Sequence, residues 1–112
     1  MRVRDVLKEF EAHIHALPPG AAGMSGKSEW KQYGDGTYRF KVVLRNIALP
    51  DNSQIELVVD DLRIRQLIVS GGKAKVDVES QIQVEIPRIQ AGQRLQVRFG
   101  NTILAEGTYV EE

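Results

Sequence analysis

Residues 3–17, VRDVLKEFEAHIHAL, decide how the rest of the chain is read. Val3, Leu7, Phe10, Ile14 and Leu17 recur at steps of four and three, with Val6 beside them, which is the spacing of one apolar stripe on an α-helix. Asp5 suits the positive end of a helix dipole, and Pro18-Pro19-Gly20 stops a helix. The spacing predicts a helix from Val3 to Ala16. A helix of that length is marginal alone in water, so its stripe needs a partner surface. The partner is either the chain's own sheet or the same stripe of a second copy, since the four-three spacing matches a short coiled-coil seam. Val3, Leu7, Phe10, Ile14 and Leu17 therefore form the candidate association surface.

Near residue 24 the period changes from helical to alternating. GKSEWKQY (26–33), Gly34-Asp35-Gly36 and TYRFKVVLRN (37–46) read as two strands joined by a tight turn. Tyr38, Phe40, Val42 and Leu44 share one face of the second strand, and Arg39, Lys41 and Arg45 the other. Pro50-Asp51-Asn52 supplies a turn, and Ile55, Leu57 and Val59 alternate up to Asp60-Asp61. RIRQLIV (63–69) continues as a strand with apolar residues on both faces, as if both needed cover. Ser70-Gly71-Gly72-Lys73 predicts a hairpin that returns AKVDVES (74–80) directly against it. QIQVEIP (81–87) alternates again, Ala91-Gly92 makes a turn, and RLQVRF (94–99), Gly100-Asn101 and TILAEGTYV (102–110) read as a last hairpin. The expectation is a mostly β chain: an antiparallel β-sandwich of seven to eight short strands preceded by one amphipathic helix. Its divisions are a helix at 1–17, a linker at 18–23 and the sandwich at 24–112.

Composition bounds the function. The 112 residues suit one core, with 42% hydrophobic and 27% charged residues. Fifteen basic and fifteen acidic residues cancel, so a polyanionic partner would require a local basic patch. There is no cysteine, which excludes disulfides and thiolate chemistry and fits a reducing compartment. The N-terminus lacks the uninterrupted apolar core of a signal peptide, and no segment reads as a membrane-spanning helix, so the cytoplasm is expected.

Several motifs imitate chemistry. Ala21-Ala22-Gly23-Met24-Ser25-Gly26-Lys27-Ser28 satisfies the relaxed phosphate-loop pattern, and Asp60-Asp61 resembles a metal-coordinating strand end. A phosphate loop needs a strand before it and a helix after it, and here the order is reversed. His13 and His15 suggest a metal pair, but two apart on a helix they point to different sides; on a strand they would share one. Asp60, Asp61, Asp77 and Glu79 offer carboxylates for hydrolysis or a hard cation. They read as outward solubilising residues, and no histidine in the β body stands by as a base. Arg39, Lys41 and Arg45 with Trp30 and Tyr33 suggest a stacking platform for nucleic acid, although Glu29 and Asp35 dilute the charge.

From Met24 onward the chain resembles a loosely defined group of small bacterial all-β domains of unknown function. The resemblance rests on Met24-Ser25-Gly26-Lys27, Tyr38-Arg39-Phe40-Lys41-Val42, Ala91-Gly92 and Ala105-Glu106-Gly107-Thr108-Tyr109. It implies an immunoglobulin-like sandwich and carries no catalytic residue; Asp60-Asp61 stands where such domains often show Asp-Gly. The expected function is a non-enzymatic binding or scaffold domain with no catalytic, cofactor or metal residues, docking or self-associating through its helix to a homo-oligomer or another protein. The alternatives are a carboxylate-based enzyme or ligand-binding domain, and polysaccharide or nucleic-acid binding through Trp30 and the adjacent basic strand. Nucleic acid and membrane are disfavoured as partners.

Overall fold

The structure, a computed structural model, describes residues 5–17, 23–81 and 87–112. Among them are nine strands and no helix: β1 (Val6–Ala16), β2 (Ser25–Tyr33), β3 (Tyr38–Arg45), β4 (Gln54–Val59), β5 (Leu62–Ile68), β6 (Ala74–Ser80), β7 (Arg94–Phe99), β8 (Thr102–Thr108) and β9 (Val110–Glu111). All belong to one antiparallel sheet in the order β5-β4-β7-β8-β1-β2-β3-β6, with β9 also pairing β1. The two end strands, β5 and β6, come to lie against each other, so the sheet curls into a nearly closed barrel.

This corrects the expected fold twice. Among the described residues there is no second sheet for a sandwich, and one curled sheet encloses the core. The expected helix is a strand: β1 pairs with β2 from Val6↔Tyr33 to His15↔Ser25, with β8 at His15↔Glu106 and with β9 at Phe10↔Glu111. Phe10, Ala12 and Ile14 point into the core, while Glu9, Glu11, His13 and His15 point out, which is the period of two that a strand imposes. The helix-like spacing is an accident of a bulge. The register slips between Val6 and Lys8, leaving Leu7 64% exposed. The proline-rich stop at 18–20 and residues 82–86 of the strand expected over 81–87 lie outside the described residues.

The inward side chains stack in rows across β1, β2, β3 and β6. The register sets Lys8, Gln32, Tyr38 and Ser80 in one row, then Phe10, Trp30, Phe40 and Val78, then Ala12, Ser28, Val42 and Val76, and finally Ile14, Gly26, Leu44 and Ala74. Small residues alternate with large ones, which fills a narrow barrel. Gly107 shows how tightly the strands converge. A Cβ there would collide with the backbone carbonyl of His13, so β8 can run this close to β1 only without a side chain. Ser28 is the buried polar member of these rows, and its hydroxyl lies 2.7 Å from that of Tyr109, which sits between β8 and β9. Burial pushes the Tyr109 phenol well above its ordinary value, and the Ser28 hydrogen bond opposes that only in part.

Turn chemistry agrees with the sequence at three places. Asp35 accepts a hydrogen bond from the Thr37 amide at 2.9 Å in the β2–β3 turn. Asp60 and Asp61 both take positive φ, 48° and 66°, the pair of left-handed residues that a two-residue hairpin demands and that aspartate tolerates. Gly100, at φ 59°, turns β7 into β8. The Gly71-Gly72 turn also forms, but only Ser70↔Lys73 pairs across it. β6 then leaves β5 and pairs with β3 from Leu44↔Ala74 to Tyr38↔Ser80, so the direct return expected for residues 74–80 is not made.

Candidate functional site

The rows of inward side chains continue into a concavity at one end of the barrel. Phe10 and Trp30 form its floor, and Lys8, Gln32 and Tyr38 its strand-borne rim. The opposite wall is the connection before β7, from Arg88 to Ala91, with Glu111 of β9 completing the mouth. The volume of this open concavity is about 560 Å³, within the range that holds a small organic ligand.

Local bonds explain why the wall stands where it does. The Gly92 amide donates to the Tyr109 carbonyl at 2.8 Å, and the Tyr109 amide donates to the Gln93 carbonyl at 2.9 Å. The Gln90 amide donates to Oε1 of Gln93 at 2.7 Å. Trp30 fastens the floor to the same wall, because its Nε1 donates to the Pro87 carbonyl at 2.8 Å. Ring centroids lie 5.4 Å apart for Phe10 and Trp30 and 5.7 Å for Trp30 and Tyr38, both tilted, a favourable arrangement for aromatic quadrupoles. The floor is therefore aromatic and tied to the wall, and the exposed rim carries two cations, Lys8 and Arg88, and one anion, Glu111.

Neither a family model nor a curated protein matches the chain.

The structure distributes the residues picked out by sequence. Of the expected association surface, Val3 lies outside the described residues, Leu7 is exposed, Phe10 and Ile14 are core, and Leu17 is half-buried with its amide donating to the Leu104 carbonyl at 3.0 Å. They do not share a face, and the helix that was to present them is absent. Trp30 is only 6% exposed and points inward, whereas Arg39, Lys41 and Arg45 are on the outer face of the neighbouring strand, so one platform cannot include both. His13 and His15 share the outer face of β1. Among the described residues no group of three or more histidines or carboxylates is placed to hold a metal ion.

The carboxylates are likewise dispersed. Asp77 accepts two hydrogen bonds from Arg39, at 3.0 and 2.8 Å, and this guanidinium lowers its pKa. Asp60 accepts from the Arg94 amide at 3.2 Å, and Asp61 from Nη2 of Arg98 at 3.3 Å, beside a smaller groove of about 360 Å³. Glu79 faces Arg39 across the β3–β6 ladder. Lys27 and Ser28, the end of the phosphate-loop imitation, are mid-strand in β2 and point to opposite faces.

The mouth residues Lys8, Arg88 and Gln90 escaped the sequence reading. The alternation Lys8, Phe10, Ala12, Ile14 would have placed Lys8 above Phe10 on the inner face. Arg88 and Gln90 carry no pattern of their own, and only the path of the chain after residue 87 brings them opposite Trp30.

Proposed function

We propose that the chain is a binding domain whose ligand enters the barrel mouth over Trp30. The cavity of about 560 Å³ floored by Phe10 and Trp30 carries this reading. Its chemistry favours a flat, partly apolar molecule with an anionic substituent, because the floor offers aromatic contact while Lys8 and Arg88 outnumber Glu111 at the rim. Among the described residues around the cavity the ionisable side chains are Lys8, Tyr38, Arg88 and Glu111, and they stand at its rim and mouth rather than over its floor. That supports recognition rather than catalysis.

Trp30 is the only tryptophan, so its indole N–H gives a single reporter resonance inside the site. Titration with 2-naphthoate is expected to shift that resonance with a Kd of about 1 mM, since a ligand of this size at about 0.3 kcal/mol per heavy atom gains about 4 kcal/mol. The cationic counterpart, 2-naphthylmethylammonium, is expected to bind more weakly, and Lys8→Gln to narrow the difference. Equal shifts from both molecules would remove the anionic requirement, and no shift from either would remove the site.

A further inference from the structure

The outer face of β1, β2, β3 and β6 changes sign along the strands. The register places Glu11, Glu29, Lys41 and Asp77 in one row and His13, Lys27, Val43 and Lys75 in the next, with Arg45 beyond Val43 on β3. In the acidic row Lys27 reaches back to Glu11 at 3.0 Å and Glu29 at 3.3 Å, and Arg39 holds Asp77 at 2.8 Å. Around Val43 the balance is the opposite. Among the described residues Lys41, Arg45, Lys73 and Lys75 make no close ion pair, Lys41 and Lys75 feeling Asp77 only at longer range, although the chain as a whole is neutral. Two adjoining depressions, about 300 and 200 Å³, share Lys27, Val43 and Arg45.

We propose that this face, centred on Val43, binds the phosphodiester backbone of a nucleic-acid strand without reading its sequence. Lys41 and Arg45 flank Val43 along one strand, and alternate residues of a strand lie roughly 6.5 Å apart. Lys75 on β6 and Lys73, just before that strand, run beside them. The cations thus form a track rather than a point, which suits a polymer with a charge at every repeat. β2 and β3 are interior strands with ladders on both sides, so a peptide could add as another strand only along the outer edge of β6 and not across the patch at Val43. Recognition here is by side-chain charge alone. The exposed large apolar residues, Val6, Leu7, Leu62, Ile68, Phe99 and Val110, are not in the patch, which leaves it without the insertion that strengthens binding to a bilayer. No aromatic ring of the outer face borders Val43, so bases have nothing to stack on, and the contact is blind to sequence.

The test is fluorescence anisotropy of a labelled oligothymidylate with the full chain across a salt series. With four phosphates contacted, the slope of log K against log salt is expected to be about −2.8, a loss of about 50-fold in affinity between about 50 and 200 mM. Lys41→Gln/Arg45→Gln and, separately, Lys73→Gln/Lys75→Gln are each expected to flatten that slope by about 1.4. Arg39→Gln, on the same face but in the paired row, is expected to leave it unchanged. The two double variants probe the same track from different strands, so loss of folding in one leaves the other to decide. No binding at low salt, an unchanged slope in a folded double variant, or equal affinity for mixed-sequence oligonucleotides and poly-glutamate would overturn the proposal. Tighter binding to phosphatidylserine vesicles than to the oligonucleotide would overturn the choice of partner.

Discussion

β1 and β5 belong to the same sheet, yet composition and burial are related in opposite ways in them. β1 carries glutamates, histidines and alanines, and beyond its bulge the inward Phe10, Ala12 and Ile14 are enclosed, although Val6 and Leu7 at its start are exposed. β5 carries leucine and isoleucine, and Leu62 is 68% and Ile68 49% exposed. The difference is position. β1 has β2 on one side and β8 with β9 on the other, whereas β5 has a ladder only with β4. An interior strand buries even small side chains because its neighbours cover them, while an end strand leaves large ones uncovered.

The largest effect expected from this contrast is at Gly107. Gly107→Val drives a side chain into the His13 carbonyl and is expected to cost more than about 4 kcal/mol, or to abolish cooperative unfolding in urea. A cooperative transition at unchanged denaturant midpoint would separate β8 from β1. Next is Phe10→Ala, which empties the floor between Trp30 and Ala12. The expected loss is about 3–5 kcal/mol, read from the same urea curves.

Tyr109→Phe follows. It leaves the Ser28 hydroxyl without its 2.7 Å partner and is expected to cost about 1–3 kcal/mol. It also carries a pH signature. The Tyr109 pKa is raised on folding, so its contribution to stability is full below the unfolded value of about 10 and falls as pH rises above it. Tyr109→Phe is therefore expected to flatten the decline in stability above about pH 10, and an identical alkaline decline in both proteins would contradict the burial of this phenol. The smallest effect is Leu62→Ser on β5, expected to lie within about 0.5 kcal/mol of the parent. A loss comparable to that of Phe10→Ala would mean that β5 is covered.

Much of the sheet was legible wherever local chemistry alone set the outcome. The β2–β3 hairpin followed from Gly34-Asp35-Gly36, β4 and β5 from the turn at Asp60-Asp61, and β7 and β8 from Gly100-Asn101. β1 was misread because two of its inward positions are alanines, which add little to an apolar pattern. The bulge beside Leu7 then let Leu7, Phe10 and Ile14 imitate helical spacing. Glu9, Glu11, His13 and His15 alternate strictly, and that polar period was the better guide. The pairing of β6 with β3 was not legible, since a Gly-Gly turn specifies a reversal of direction and not which strand is met after it. The mouth was legible only in part. Trp30 and Tyr38 stood out as aromatic residues, but their meeting with Arg88 depends on contacts between positions 58 residues apart along the chain for Trp30 and Arg88.

The place of residues 6–16 in the middle of the sheet is tested most directly by backbone nuclear Overhauser contacts and Cα chemical shifts. The account predicts strand-like shifts across Val6–Ala16 and cross-strand contacts from Phe10 to both Trp30 and Glu111. Helical shifts with contacts between residues three apart along this segment, and none to β2 or β9, would contradict it.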